Sequence, residues 1–263
     1  MKKVLTLAAT AVAALTLASA AAAADVTVVH GVPDLTVDVY VNGEVALEGF
    51  EFGTVTDPIE LPAGDYAIEI RAAGEPADSE PALSGSATVA EDTNASIVAH
   101  LDADGNPMLS VFVNDLSPIA AGDSRVTVRH AAAAPAVDVL ANGAALITSL
   151  ANPDEASADV PAGTYSVAVA AAGTTDPVLG PTDLALGAGT STLVYAVGSL
   201  EAGNLQLLAQ EIAGLGAAPS GVPAGDSGLV AESGFPAWGI ALLSLAGIAV
   251  LGSGLVLARR GAR

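Results

Sequence analysis

Two histidines and two aspartates recur at matched places in this chain. His30 and Asp38 stand in VTVVHGVPDLTVDVYVNG, residues 26–43, and His130 and Asp138 stand in VTVRHAAAAPAVDVLANG, residues 126–143. An imidazole beside a carboxylate can hold a divalent metal or move a proton. A zinc site, however, normally needs three protein ligands, and no second His lies near either one in sequence. The expectation is therefore structural: each His closes an inward strand face, its ring nitrogens bonded to backbone or to a carboxylate. A His–Asp site is the alternative.

Other strings invite chemistry and meet the same objection. Asp102-Ala103-Asp104-Gly105-Asn106 resembles the start of a calcium loop, but its Gly comes fourth rather than sixth and the second passage reads Ser199-Leu200-Glu201-Ala202-Gly203. A hairpin turn is expected, with a cation held by Asp102 and Asp104 as the alternative. GDSG, residues 225–228, matches the nucleophile segment of trypsin-like proteases. It lies in a Gly-, Ala-, Pro- and Ser-rich stretch that supplies no rigid frame for a His, an Asp and an oxyanion hole. Leu61-Pro62-Ala63-Gly64 is superficially like a sortase signal but falls mid-domain. Zero Cys excludes disulfides and thiolate chemistry. No catalytic residue, no cofactor and no enzyme activity are expected.

The elements that would carry these residues follow from period-two alternation. Val26, Val28 and His30 share one strand face, and Val37, Val39 and Val41 share another. Asn42-Gly43 and Asn142-Gly143 supply the two positive-φ residues of a type I′ hairpin turn. A second repeated passage follows, LPAGDYAIEIRAAG at 61–74 against VPAGTYSVAVAAAG at 160–173. In each, a turn ending in Gly64 or Gly163 precedes Tyr66 or Tyr165, which opens an alternating strand. Further on the letters drift, and Ala95-Ser96-Ile97-Val98-Ala99 is aligned with Ser191-Thr192-Leu193-Val194-Tyr195. Each copy offers seven or eight short strands and no helix-period segment, which predicts an all-β sandwich.

The ends have another composition. Lys2 and Lys3, an apolar run from Val4 to Leu17 and small residues up to Ala24 have the pattern of a secretory signal peptide cleaved near Ala24. Trp238 to Leu257 is a charge-free stretch long enough to span a bilayer, followed by Arg259, Arg260 and Arg263. Its ten strongly apolar residues favour insertion by about 3 to 6 kcal/mol, and the basic flanks put both ends on the cytoplasmic side. All 29 acidic residues lie between them with only Arg71, Arg125 and Arg129, a formal charge of −26 outside. Phosphates would be repelled, so nucleic acid is excluded as a partner. The expected layout is a signal peptide at 1–24, sandwiches at 25–117 and 126–212, a linker at 118–125, a stalk at 213–236, a transmembrane helix at 237–258 and a cytoplasmic tail at 259–263.

The pattern V-x-V-x-H, V-D-V-Y-V-N-G, F-G-T-V, L-P-A-G-x-Y-x-I-x-I-R-x-A-G and then Asp115-Leu116-Ser117-Pro118 resembles the bacterial secreted family known as domain of unknown function 4397. The resemblance runs from Val26 to about Ile212 in two copies. The second copy departs from it, with Ala133 in place of Pro33 and no recognisable Phe-Gly-Thr segment. The resemblance implies an immunoglobulin-like fold, an envelope or extracellular address and no assigned activity. Tyr66 and Tyr165 are placed like the tyrosine-corner residue of such sandwiches. The expected function is a single-pass, surface-displayed binding or structural protein. Its partners would be the bilayer and either an envelope polysaccharide or another surface protein. A divalent-cation-dependent assembly or adhesion protein is the alternative, and an envelope hydrolase a more distant one.

Overall fold

The computed structural model describes residues 23–217, and these are all β. The first copy comprises β1 (Ala23–His30), β2 (Val37–Val41), β3 (Glu44–Phe50), β4 (Ile59–Pro62), β5 (Gly64–Ala72), β6 (Leu83–Val89), β7 (Asn94–Leu101) and β8 (Pro107–Val113). The second comprises β9 (Asp123–Ala133), β10 (Val137–Ala141), β11 (Ala144–Leu150), β12 (Glu155–Pro161), β13 (Gly163–Ala171), β14 (Pro177–Leu186), β15 (Ser191–Ser199) and β16 (Gln206–Ile212). Each copy forms two four-stranded sheets, ordered β4-β1-β7-β8 and β3-β2-β5-β6 in the first and β12-β9-β15-β16 and β11-β10-β13-β14 in the second. β1 runs parallel to β7, and β9 to β15. In the constant-type immunoglobulin order the first strand shares a sheet with the second, fifth and fourth. Here it lies between the fourth and the seventh, so the all-β sandwich holds while its strand order differs from that arrangement.

Alternation decides which side chains fill each sandwich. Val26, Val37, Val39, Ile68, Ile70 and Ile97 form the first core, and Val126, Val137, Val139, Val167, Val169 and Val194 the second. The opposite faces of β1, β7, β9 and β15 are buried as well, because the two copies stack sheet against sheet. Val29, Val98, Ala131, Leu193, Tyr195 and Val197 make a third apolar cluster between them, with Phe52 and Phe112 packed on it. β7 and β15 are buried on both faces; each has an apolar middle, Ile97-Val98-Ala99 and Leu193-Val194-Tyr195-Ala196-Val197, together with buried polar residues such as Asn94, Ser96, His100, Ser191 and Thr192.

Three boundaries differ from expectation. β1 begins at Ala23 and Ala24 is fully buried opposite Leu61, so the edge expected at Ala24 falls inside the first strand. Residues 118–125 are not a free linker. β9 starts at Asp123, Ile119 is fully buried, and the Ile119 N–H and C=O bond the Leu215 carbonyl and the Ala217 N–H. Residues 213–217 of the expected stalk are thereby laced to the second sandwich, and Leu215 also donates to the Gly189 carbonyl. The segments read as signal peptide, transmembrane helix and tail, the GDSG string and the remainder of the stalk lie outside the described residues. Among the described residues no helix is long and apolar enough to cross a membrane.

Candidate functional site

Each matched His is the end of an inward face, and both of its nitrogens are engaged. His30 Nε2 donates to the Leu35 carbonyl at 2.8 Å, while Nδ1 accepts from the Val32 N–H at 3.4 Å. His130 repeats this with Pro135 at 3.0 Å and Ala132 at 3.4 Å. The lone pair that a metal would need is already occupied by an N–H. The ring of His30 also stacks on Phe50. Burial pushes both imidazole pKa values down, with the carbonyl bond opposing it, so each ring is held neutral.

The matched aspartates face elsewhere and brace backbone. Asp38 Oδ1 accepts from Gly49 N–H at 2.7 Å and Oδ2 from Gly74 N–H at 3.1 Å. Asp138 accepts from Ser149 and Gly173 in the same way, at 2.7 and 2.8 Å. Those N–H groups hold the Asp38 carboxyl below the usual carboxylate range. Asn42 and Gly43 take positive φ, as do Asn142 and Gly143, and the Asn side chains also accept from Ala67 and Ser166 N–H on the neighbouring strands β5 and β13. Gly64 and Gly163 open the strands that follow a one-residue crossing from one sheet to the other. Over that corner the Tyr66 hydroxyl donates to the Pro62 carbonyl at 2.6 Å and that of Tyr165 to Pro161 at 2.7 Å. Asp102 closes its own turn, accepting from Asp104 N–H, Asn106 N–H and the Asn106 amide, whereas Asp104 contributes its backbone N–H. Among the described residues no cluster of His, Asp and Glu is arranged to hold a metal.

The most concentrated polar chemistry lies instead in the seam between the copies, around Arg129. This guanidinium is 1% exposed. It donates to Glu155 at 2.8 Å, to the Tyr195 hydroxyl at 2.9 Å and to Asn114 Oδ1 at 2.6 Å, and it lies over the Phe112 ring at 4.4 Å. The Tyr195 hydroxyl lies 2.7 Å from Gln210 Oε1 and 2.8 Å from Ser96 Oγ, and Gln210 donates to Thr27. Burial raises the Tyr195 pKa, so the phenol stays protonated as a link in this chain of bonds. Nearby, the Asn152 amide donates to Leu101 and Ala132 carbonyls of both copies. The other two arginines among the described residues are also built in. Arg125 forks onto Asp159 and ties down Asp115 and Ser117 of the D-L-S-P segment, and Arg71 pairs with Glu69 and the Ser79 carbonyl.

Sequence reasoning missed the seam because its residues are those that differ between the copies. The parallel register pairs Val29 with Val98 and Arg129 with Tyr195, so Tyr195 matches Val98 rather than Ala99. The expected alignment of β7 with β15 is off by one residue, which would have turned Tyr195 into the sandwich interior. The available signal was parity: an Arg amid apolar alternation on β9 belongs to the face opposite Val126 and Val128.

Comparison with known proteins gives one family. The model described as "Domain of unknown function (DUF4397)" matches residues 24–140 and again residues 131–217. No curated protein matches.

Proposed function

Because this chain belongs, in tandem, to the family described as domain of unknown function 4397, we propose that it works as a binding or structural module displayed outside the membrane, held there by the apolar segment near its C-terminus. The observation that carries the reading is where the matched side chains are used. His30, Asp38 and Tyr66 and their counterparts His130, Asp138 and Tyr165 bond to backbone of the frame. Their chemistry is committed to holding shape, which supports a scaffold over a catalyst. The apolar ends and the basic flanks described above support the address. Signal processing upstream of Ala23 fits this reading, because Ala23 and Ala24 belong to β1. Intact-protein mass of the mature chain checks that point.

Protease added to intact cells tests the display. It is expected to remove the region between Asp25 and Glu232 and leave a membrane fragment carrying Arg259 and Arg260. Protection of that region in cells whose outer layers admit the protease would refute the orientation. The partner class is tested with the protein purified from cells, against envelope polysaccharide and against surface-protein fractions. Retention by neither would leave a structural role.

A further inference from the structure

The two sandwiches differ most in how well they are filled. Between the sheets of the first lies a cavity of about 110 Å³. The corresponding space in the second measures about 10 Å³. The difference begins at one edge. β12 runs seven residues, is paired with β9 throughout, and closes against β11, while Leu146 packs on the core. In the first copy β4 is only four residues, β3 and β4 have no such closure, and Ala46 stands where Leu146 stands in the second. The ladder breaks between Val55, bridged to Val29, and Ile59, paired with Val26. Three residues, Thr56-Asp57-Pro58, thus stand opposite two, Thr27 and Val28, and Pro58 has no N–H to restore the pairing. Phe52, just upstream, packs in the seam instead of over the gap.

We propose that this cavity is a binding site for a small uncharged hydrocarbon group, entered between β3 and β4 past Ala46, Leu47, Ile59 and Leu61. Size sets the scale, since an apolar cavity of about 150 Å³ takes up benzene and stays free of water. Polarity sets the class. The only polar side chains in the lining are His30 and Tyr66, and both already bond to backbone carbonyls. A ligand hydroxyl or amide would enter without a partner and lose its hydration for nothing. The strands at the entrance carry Glu44, Glu48 and Glu60, all exposed and without an ion-pair partner among the described residues, so a carboxylate headgroup is repelled. This ligand class deepens the binding reading above and rests on it, while the anchoring is a separate matter.

Benzene and hexanoate are the probes, with the full chain labelled at isoleucine methyls. Benzene is expected to impose ring-current shifts on Ile59, Ile68, Ile70 and Ile97, leaving Ile147 of the second sandwich unmoved. Hexanoate is expected to shift none. Ala46→Leu, which copies the second sandwich, should abolish the benzene shifts while Ile147 keeps its native position. Leu47→Phe serves as a second plug should the first variant fail to fold. Benzene shifts absent in the native chain, or equal at Ile147, would overturn the site, and hexanoate shifts matching those of benzene would overturn the exclusion of charge. Neither result bears on protease release from cells, so the two readings fail separately.

Discussion

Val29 and Val98 of the first sandwich occupy the places of Arg129 and Tyr195 in the second, and the two pairs meet across one seam. A duplicated domain that used the same patch on both copies would place Arg against Arg there. The two copies diverge where they touch: at the matched places one supplies Val29 and Val98, beside Thr27, Ser96 and Asn114, and the other supplies Arg129 and Tyr195. They stay alike at the corners, where Asn-Gly, Asp38 or Asp138, and Tyr66 or Tyr165 make the same bonds in both. Repeated letters therefore report on the fold of each unit, and the differing letters report on how the units join. A second difference, the open edge at β3 and β4, is the one for which a ligand is proposed.

The largest effect is expected from breaking the seam. Arg129→Ala removes three hydrogen bonds and leaves Tyr195 and Asn114 short of a buried donor, which should cost about 3 to 5 kcal/mol. Chemical denaturation of the native chain is expected to show one transition for both sandwiches, because their shared face is as buried as either core. In Arg129→Ala the second sandwich should separate from the first and give two. A loss under about 1 kcal/mol with a single transition would show that Arg129 does not hold the copies together.

Acid should strike the same places. His30, His100 and His130 are fully or almost fully buried, and burial pushes each pKa down from the ordinary 6.5. Above that value the rings are neutral in both the folded and the unfolded chain, and stability is complete. As pH falls below 6.5 the unfolded chain takes up protons first, so the melting temperature drops until the lower folded-state pKa values are reached. Asp38, Asp102 and Asp115, held low by backbone N–H groups, add a second loss only below 3.8. His100 senses Asp102 and His130, and it matches Val197 in the other copy. His100→Val should therefore flatten part of the upper step. A melting temperature that stays level from pH 7 to about pH 5 would sink this account.

A smaller and opposite pair of effects tests the corners. Ser149 sits at φ 56 and its counterpart Gly49 at φ 61, each donating its N–H to the bracing Asp. A side chain in this region costs about 1 kcal/mol, so Ser149→Gly should stabilise and Gly49→Ser destabilise by that amount. Tyr66→Phe and Tyr165→Phe should each lose about 1 kcal/mol, equally in the two copies. Unequal losses would mean that the shared corners do not do the same job.

Much of the frame was legible because local rules agree with the global fold there. Alternation at Val26–His30, positive-φ chemistry at Asn42-Gly43 and a Tyr after Pro-Ala-Gly each carry their reason within a few residues. The strand order, the register of β15 and the packing of copy on copy depend on contacts dozens of residues apart, and nothing local states them. The segment 118–125 shows the same limit. Its Pro, Gly and Ser content reads as linker, yet Ile119 pairs with Leu215 and Arg125 forks onto Asp159, partners far along the chain that fix it in place. The cavity follows from Pro58 and Ala46, residues without meaning until β12 and Leu146 stand beside them for comparison.

The smallest expected effect is none, and it separates a plain acidic surface from a cation-bridged one. Sodium chloride should raise the melting temperature gradually, because screening over about 8 Å relieves repulsion among the uncompensated carboxylates. Calcium at matched ionic strength should add nothing. The site it would need is Asp102 with Asp104, but Asp102 already accepts three bonds inside its own turn at 2.8, 2.9 and 3.1 Å. A calcium ion would have to displace the N–H groups that shape the loop, and Asp104 alone offers too few oxygens for a coordination sphere of six to eight. The second copy has Ser199 and Glu201 in this stretch, so calcium acting there would act on one sandwich only. Stabilisation by sub-millimolar calcium that disappears in Asp104→Asn, a change that leaves the acceptors of the turn intact, would reverse the conclusion. It would make the first sandwich the cation-dependent half of an otherwise passive pair.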